Sequence, residues 1–140
     1  MKKEDCIFCK IANGEIPSRT LYEDERFRVI LDLAPVSRGH ALILPKEHFD
    51  NLYELPDDWC ADAMKLAKKM AGIMTDKLHC AGFNLQQNNG IAAGQSVFHF
   101  HIHLIPRYEG EQEQAAVIAL QPTNPSAEEL DAVCSQICAE

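Results

Sequence analysis

The chain has 140 residues, of which 46% are hydrophobic and 24% charged, the proportions of a soluble globular protein with room for one domain, 1–140, and a real core. A net charge of -8 argues against a sequence-independent hold on nucleic acid, though a local pocket rich in N–H donors could still take a small nucleotide. No apolar run is long enough to span a bilayer, and "MKKEDCIFCKI" turns acidic and then cysteine-rich before a signal-peptide apolar region could form. The expectation is a cytoplasmic protein with neither nucleic acid nor membrane as partner.

Cys6 and Cys9 form a C-x-x-C near the start. Two thiolates supply half of a tetrahedral zinc site, but a reduced pair without metal, or a redox pair, would have the same spacing. The other cysteines, at 60, 80, 134 and 138, read as small, partly buried apolar side chains. "RTLYEDERFRVILDLAP" predicts two strands joined by the polar turn Glu23–Arg26, and "GHALILPKEH" a short strand ended by Pro45. Their links are too short for crossover helices, so an antiparallel meander is expected.

The clearest helix follows in "LPDDWCADAMKLAKKMAGIMTDKLHCAG". Trp59, Ala63, Leu66, Met70, Ile73 and Leu78 recur at three- and four-residue steps, Pro56, Asp57 and Asp58 suit a helix start, and Gly82 lies past the end. "FNLQQNN" predicts another strand and "GIAAG" a loop. A strand carrying His99, His101 and His103, stopped by Pro106, comes next. The tail "NPSAEELDAVCSQICAE" predicts a helix over 125–139, with Ser126 and Glu129 spaced as a capping box. The expected fold is α+β, with about five strands, one long helix and a C-terminal helix.

Three histidines at alternate positions would project from one face of a strand. At about 3.3 Å per residue the outer two stand about 13 Å apart, too far for one metal to take all three from a straight strand. Two could share a metal in an H-x-H site. Alternatively a neutral imidazole, whose reference pKa is about 6.5, serves as a nucleophile toward phosphorus. That chemistry needs the proton on the other ring nitrogen, held there by a carbonyl or a neighbouring imidazole. His101 is flanked on both sides. Asn88, Gly94, Gln95 and Ser96 in the preceding loop can offer donors to the nonbridging phosphate oxygens.

"HFHIHLI" resembles the signature of the histidine-triad (HIT) family at every position, in its bacterial-type branch. The resemblance extends through "NNGIAAGQSVFH", "LDLAPVSRGHALILPKEH" and "CIFCKIANGEIPSRTLYED", and so covers most of residues 5 to 108. It implies a HIT-like fold and hydrolase or nucleotidyl-transferase chemistry on a dinucleoside polyphosphate or purine nucleoside phosphoramidate. By the same resemblance, His101 is the nucleophile that becomes a nucleotidyl-histidine. His103 binds phosphate and supports the leaving group, His40 orients the triad, and Asp32, with Leu33 beside it, takes the ribose hydroxyls. Ile7, Phe8, Ile11 and Ile16 wall the base pocket, where the alternative reading is plain core and the two are compatible, and Asn88, Gln95 and Ser96 meet the phosphate and leaving group. Many bacterial-type members carry a structural zinc in a Cys2His2 pattern, which here implies Cys6, Cys9, His48 and His99, while other branches lack the cysteines, and the family usually forms homodimers. Two other readings stay open: a zinc hydrolase using H-x-H directly, and a nucleotide-binding regulatory module with little turnover.

Overall fold

The computed structural model describes residues 2–115 and 121–139. In chain order the elements are α1 (Ile7–Ala12), β1 (Thr20–Glu23), β2 (Phe27–Leu31), β3 (Ala41–Pro45), α2 (Asp57–Leu78), β4 (Gly82–Gln86), β5 (Ile102–Arg107), α3 (Gln112–Ala115) and α4 (Ala127–Cys138). The five strands form one antiparallel sheet in the order β1-β2-β3-β5-β4. The meander of the first three strands is the expected one. The last strand inserts between β3 and β4, with His103 opposite Leu42 on one side and Gln86 on the other.

Alternation along the strands divides the sheet into two faces. Phe27, Val29, Leu31, Ile43, Ile102 and Leu104 pack against the apolar stripe of α2 and the inner side of α4. On the other face Ile30, Leu42 and Leu44 pack against Ala12, Phe8 and Ile11 of α1. The short α1 was not expected from the sequence, because six residues carry too little periodicity to register. Cys6 caps it, accepting the Cys9 N–H on Sγ.

Both long helices end differently in detail from their predicted termini. His79 terminates α2 in the left-handed conformation at φ 55°, its N–H bonded to the Thr75 carbonyl, so Gly82 is free to open β4. Ser126 does cap α4, through its hydroxyl and the Glu129 N–H. Cys138, at the end of that helix, is exposed rather than partly buried.

The histidine segment is the main departure. The ladder of β5 begins only at Ile102, so of the three histidines His103 alone is a strand residue. At positions 97–101 the backbone has other partners: the Phe100 N–H reaches the Phe49 carbonyl, and the Pro45 carbonyl that could extend the ladder accepts the His99 ring. Pro106 does not stop the strand either; it pairs with Phe83 inside it. Its carbonyl accepts Ser37 Oγ at 2.6 Å, on the side where β3 has already ended. In an antiparallel ladder a residue's N–H and C=O point to the same side, so the missing N–H removes no ladder bond there. Among the described residues no helix is long and apolar enough to cross a membrane.

Candidate functional site

Two clusters of histidines meet at the open face of the sheet. In the first, Cys6, Cys9, His48 and His99 bring one ligand atom each to within 4.8 Å of the others. Cys6 comes from the cap of α1, Cys9 from its first turn, His48 from the loop after β3 and His99 from the segment before β5. His99 Nδ1 lies 3.3 Å from Cys6 Sγ and 3.4 Å from Cys9 Sγ, and His48 Nδ1 lies 3.3 Å from Cys9 Sγ.

The outer ring nitrogens decide which lone pairs face inward. A carbonyl can only accept, so His99 Nε2, 2.8 Å from the Pro45 oxygen, carries the proton. His48 Nε2 likewise donates to Asp50 Oδ1 at 2.6 Å. Both Nδ1 lone pairs therefore point at the two sulfurs. Burial pushes the His99 pKa down to about 4, so the ring is neutral near pH 7. Burial also raises the Cys9 thiol. Two imidazoles with carbonyl or carboxylate partners behind them, facing two thiols, match the donor set of a tetrahedral zinc site. Zinc–ligand bonds of about 2.0 and 2.3 Å place N and S about 3.5 Å apart in a tetrahedron, close to the separations here. Asp50 was missed in the sequence, although "HFD" holds a carboxylate two residues after a candidate ligand, the spacing such a partner needs.

The second cluster holds His101, His103, His40 and Asp32. His40 immediately precedes β3 and follows Gly39, whose φ of +91° strains any other residue and where a Cβ would stand 2.5 Å from Leu78 Cδ1. The Val36 N–H donates to His40 Nδ1 at 3.1 Å. His40 must then carry its proton on Nε2, which donates to His103 Nδ1 at 2.9 Å. That leaves Nε2–H as the remaining donor of His103. His101 Nδ1 stands 2.7 Å from the His99 carbonyl and so holds its proton, leaving the Nε2 lone pair as the one unprotonated ring position. The His101 and His103 rings lie 5.1 Å apart, and Phe8 meets His101 edge-on at 5.1 Å.

All three rings are kept neutral chiefly by burial. The His103 pKa falls to about 3, with His101 and His40 adding to the shift, and that of His40 falls to about 4, while nearby Asp32 opposes the shift. His101 is also lowered, its bond to the His99 carbonyl acting in the opposite direction. Asp32, His40 and His103 bring their polar atoms close enough to suggest a second metal site. Proton bookkeeping speaks against it: Val36 holds the His40 proton on Nε2, the nitrogen a metal would need.

The remaining predicted residues divide. Ile7 and Leu33 expose 53% and 71% of their surface, so neither is plain core, whereas Phe8 and Ile11 pack on the sheet. Ile16 is half-buried, its N–H on the Lys10 carbonyl. Asp32 turns one carboxylate oxygen to the Ala34 N–H and the other to within 3.6 Å of His40 Nε2. Asn88 accepts from Gln86, and Ser96 is exposed. Gln95 is otherwise employed: its amide donates to the Asp50 and Val97 carbonyls and accepts the Gly90 N–H, which ties the loop carrying Ser96 to the residue behind His48. Arg107 is turned to Asn84 and Glu111, with its Nε–H on Asn84 Oδ1.

Residues 13–110 match the HIT domain. An adenosine 5'-monophosphoramidase of Schizosaccharomyces pombe is 41% identical over 132 residues, spanning 94% of this chain and 95% of that protein. Among solved structures, a HIT-like protein of Bartonella henselae described as involved in cell-cycle regulation superposes with a TM-score of 0.85 at 31% identity, over 98% of this chain and 96% of that one. A zinc-bound histidine triad protein of Mycobacterium smegmatis gives 0.79 at 33% identity, over 95% and 93%.

Proposed function

The chain belongs to the histidine triad family, and from that premise we propose that it hydrolyses a purine nucleoside phosphoramidate or dinucleoside polyphosphate through a covalent intermediate on His101. The observation that carries the reading is the bond from His101 Nδ1–H to the His99 carbonyl. It fixes the tautomer in which Nε2 has a free lone pair, and burial keeps the ring unprotonated. The Nε2 lone pair attacks the α-phosphorus while the bond to the leaving group breaks with its electron pair, a leaving amine taking a proton from solvent and a leaving phosphate departing as the anion. Water then attacks the same phosphorus and gives up a proton to solvent, while the Nε2–P bond breaks and its electron pair returns to His101, restoring the neutral ring.

His103 Nε2–H donates to a phosphoryl oxygen, where negative charge builds in the transition state. His40 holds that donor in place through His103 Nδ1. Ser96 supplies a further donor. Ile7, Phe8, Ile11, Ile16 and Leu33 receive the base, and Asp32 accepts from the ribose hydroxyls. A nucleotide-sized acidic substrate meets N–H dipoles here rather than a basic surface, which agrees with the net charge of -8. The monophosphoramidase relative favours the phosphoramidate branch.

Cys6, Cys9, His48 and His99 would hold a structural zinc, supplying a cross-link between α1, the loop after β3 and the segment before β5. The protein would also form a homodimer. Met64 on α2, Leu85 on the edge strand β4 and Leu52 in the segment before α2 are exposed beside a cleft of about 290 Å³. Rapid quenching with labelled adenosine phosphoramidate tests the mechanism. Acid-labile, base-stable adenylyl label should appear on the wild type and be absent from His101→Ala. Turnover with no label, lost on chelation and restored by zinc, would instead favour direct metal hydrolysis.

A further inference from the structure

The C-terminal tail reaches the catalytic histidines through a single peptide unit. Thr123 donates twice to the Pro35 carbonyl, from its N–H at 2.7 Å and from Oγ1–H at 2.6 Å. Pro35 is buried, so its carbonyl depends on protein partners. The other end of the same planar unit is the Val36 N–H, which donates to His40 Nδ1 at 3.1 Å. His40 Nε2–H in turn donates to His103 Nδ1 at 2.9 Å. The donors all run one way, from Thr123 through the Pro35–Val36 amide and His40 to His103. Each bond polarises the next, and each fixes the direction of the one after it.

We propose that Thr123 is a positioning residue that sets the tautomer of His40, and through it the donor of His103, by holding the Pro35–Val36 peptide plane. The proposal rests on the hydrolase reading of the His101 site for its consequence in turnover, but not for its consequence in His40. With the Val36 N–H aimed at Nδ1, the opposite tautomer would set two N–H groups against each other and turn the His40 Nε2 lone pair toward His103 Nδ1 and the Asp32 carboxylate, 3.6 Å away. If the peptide plane tilts, that selection weakens. Other bonds hold the neighbouring backbone, from Ser37 Oγ to the Pro106 carbonyl and from Tyr108 OH to the Arg38 carbonyl. Neither touches the Pro35–Val36 unit.

The test compares Thr123→Val, which keeps the branched shape and removes one donor, with Thr123→Ser, which keeps the hydroxyl. Losing one neutral hydrogen bond in the chain should lower kcat for adenosine phosphoramidate about two- to tenfold, with KM within about twofold, and Thr123→Ser should recover most of the loss. Two-bond 1H–15N correlation spectra at pH 7.5 read His40 directly, since the ring is neutral there. In the wild type and in Thr123→Ser, Nδ1 should show the shift of an unprotonated nitrogen. In Thr123→Val it should move toward the protonated value as the second tautomer gains population. Unchanged His40 shifts in Thr123→Val, or a Thr123→Ser variant as impaired as Thr123→Val, would overturn the proposal. If the wild type fails to turn over nucleotide substrates, the hydrolase reading falls, while the His40 spectra still decide this one.

Discussion

On the proposed zinc reading of Cys6, Cys9, His48 and His99, removing the metal should cost a large fraction of the protein's stability. The shortest long-range link it closes joins Cys9 to His48, 39 residues apart in sequence. In the chain-entropy account a cross-link over a loop of that size removes about 4 kcal/mol of unfolded-state entropy at 25 °C. The second link, from Cys9 to His99, spans 90 residues and adds to this. For a chain of this length the unfolding entropy is about 0.3 kcal/mol/K, so about 4 kcal/mol corresponds to a fall in Tm of about 13 °C. The assay is a thermal melt of freshly reduced protein, with and without a strong chelator, beside elemental analysis of zinc per chain. Cys9→Ser should reproduce the chelated melting point and respond little to further chelator. A stoichiometry near zero in protein purified under reducing conditions, or a chelator shift below about 2 °C, would refute the cage as a structural cross-link.

Acid should destabilise the chelated protein well above the carboxylate range. The folded pKa values of His40 and His103, about 4 and about 3, lie below the unfolded value near 6.5, so between these limits the unfolded chain takes up protons that the folded chain refuses. Their contribution is whole above about pH 6.5 and drains away as pH falls toward 4, by up to about 1.4 kcal/mol per pH unit for each ring, which urea melts at pH 7 and pH 5 would register. Gln95→Ala should lower kcat/KM about ten- to a hundredfold without changing any bound metal, because three part-buried hydrogen bonds of the Ser96 loop are lost. Gln95→Glu should be worse, since a carboxylate would face two carbonyl oxygens; steady-state kinetics with metal analysis check both. If the proposed dimer pairs through this apolar face, Leu85→Glu should convert it to a monomer in light scattering after gel filtration, as a charge in a desolvated apolar contact costs several kcal/mol.

The order of the five strands and two long helices, the α+β class and the family itself were legible in the residues, because periodicity, turn chemistry and the spacing of the histidines are local properties of the chain. The six-residue α1 was too short to announce itself, and the strand boundaries around the histidines followed tertiary partners instead of propensity. The Pro45 carbonyl took the His99 ring in place of a ladder bond, and Pro106 was tolerated in β5 because β3 had ended beside it.

By itself the sequence determined which side chains with usable chemistry exist and roughly where they lie along the chain. Only the tertiary structure decided which nitrogen of each imidazole carries the proton. That choice depends on acceptors and donors brought in from elsewhere: the Pro45 carbonyl behind His99, Asp50 behind His48, and the Val36 N–H, braced by Thr123, behind His40. Five of the six histidines are assigned to clusters this way, and the sixth, His79, ends a helix. A tautomer is a property of a ring and its neighbours, and most of those neighbours lie far away in sequence.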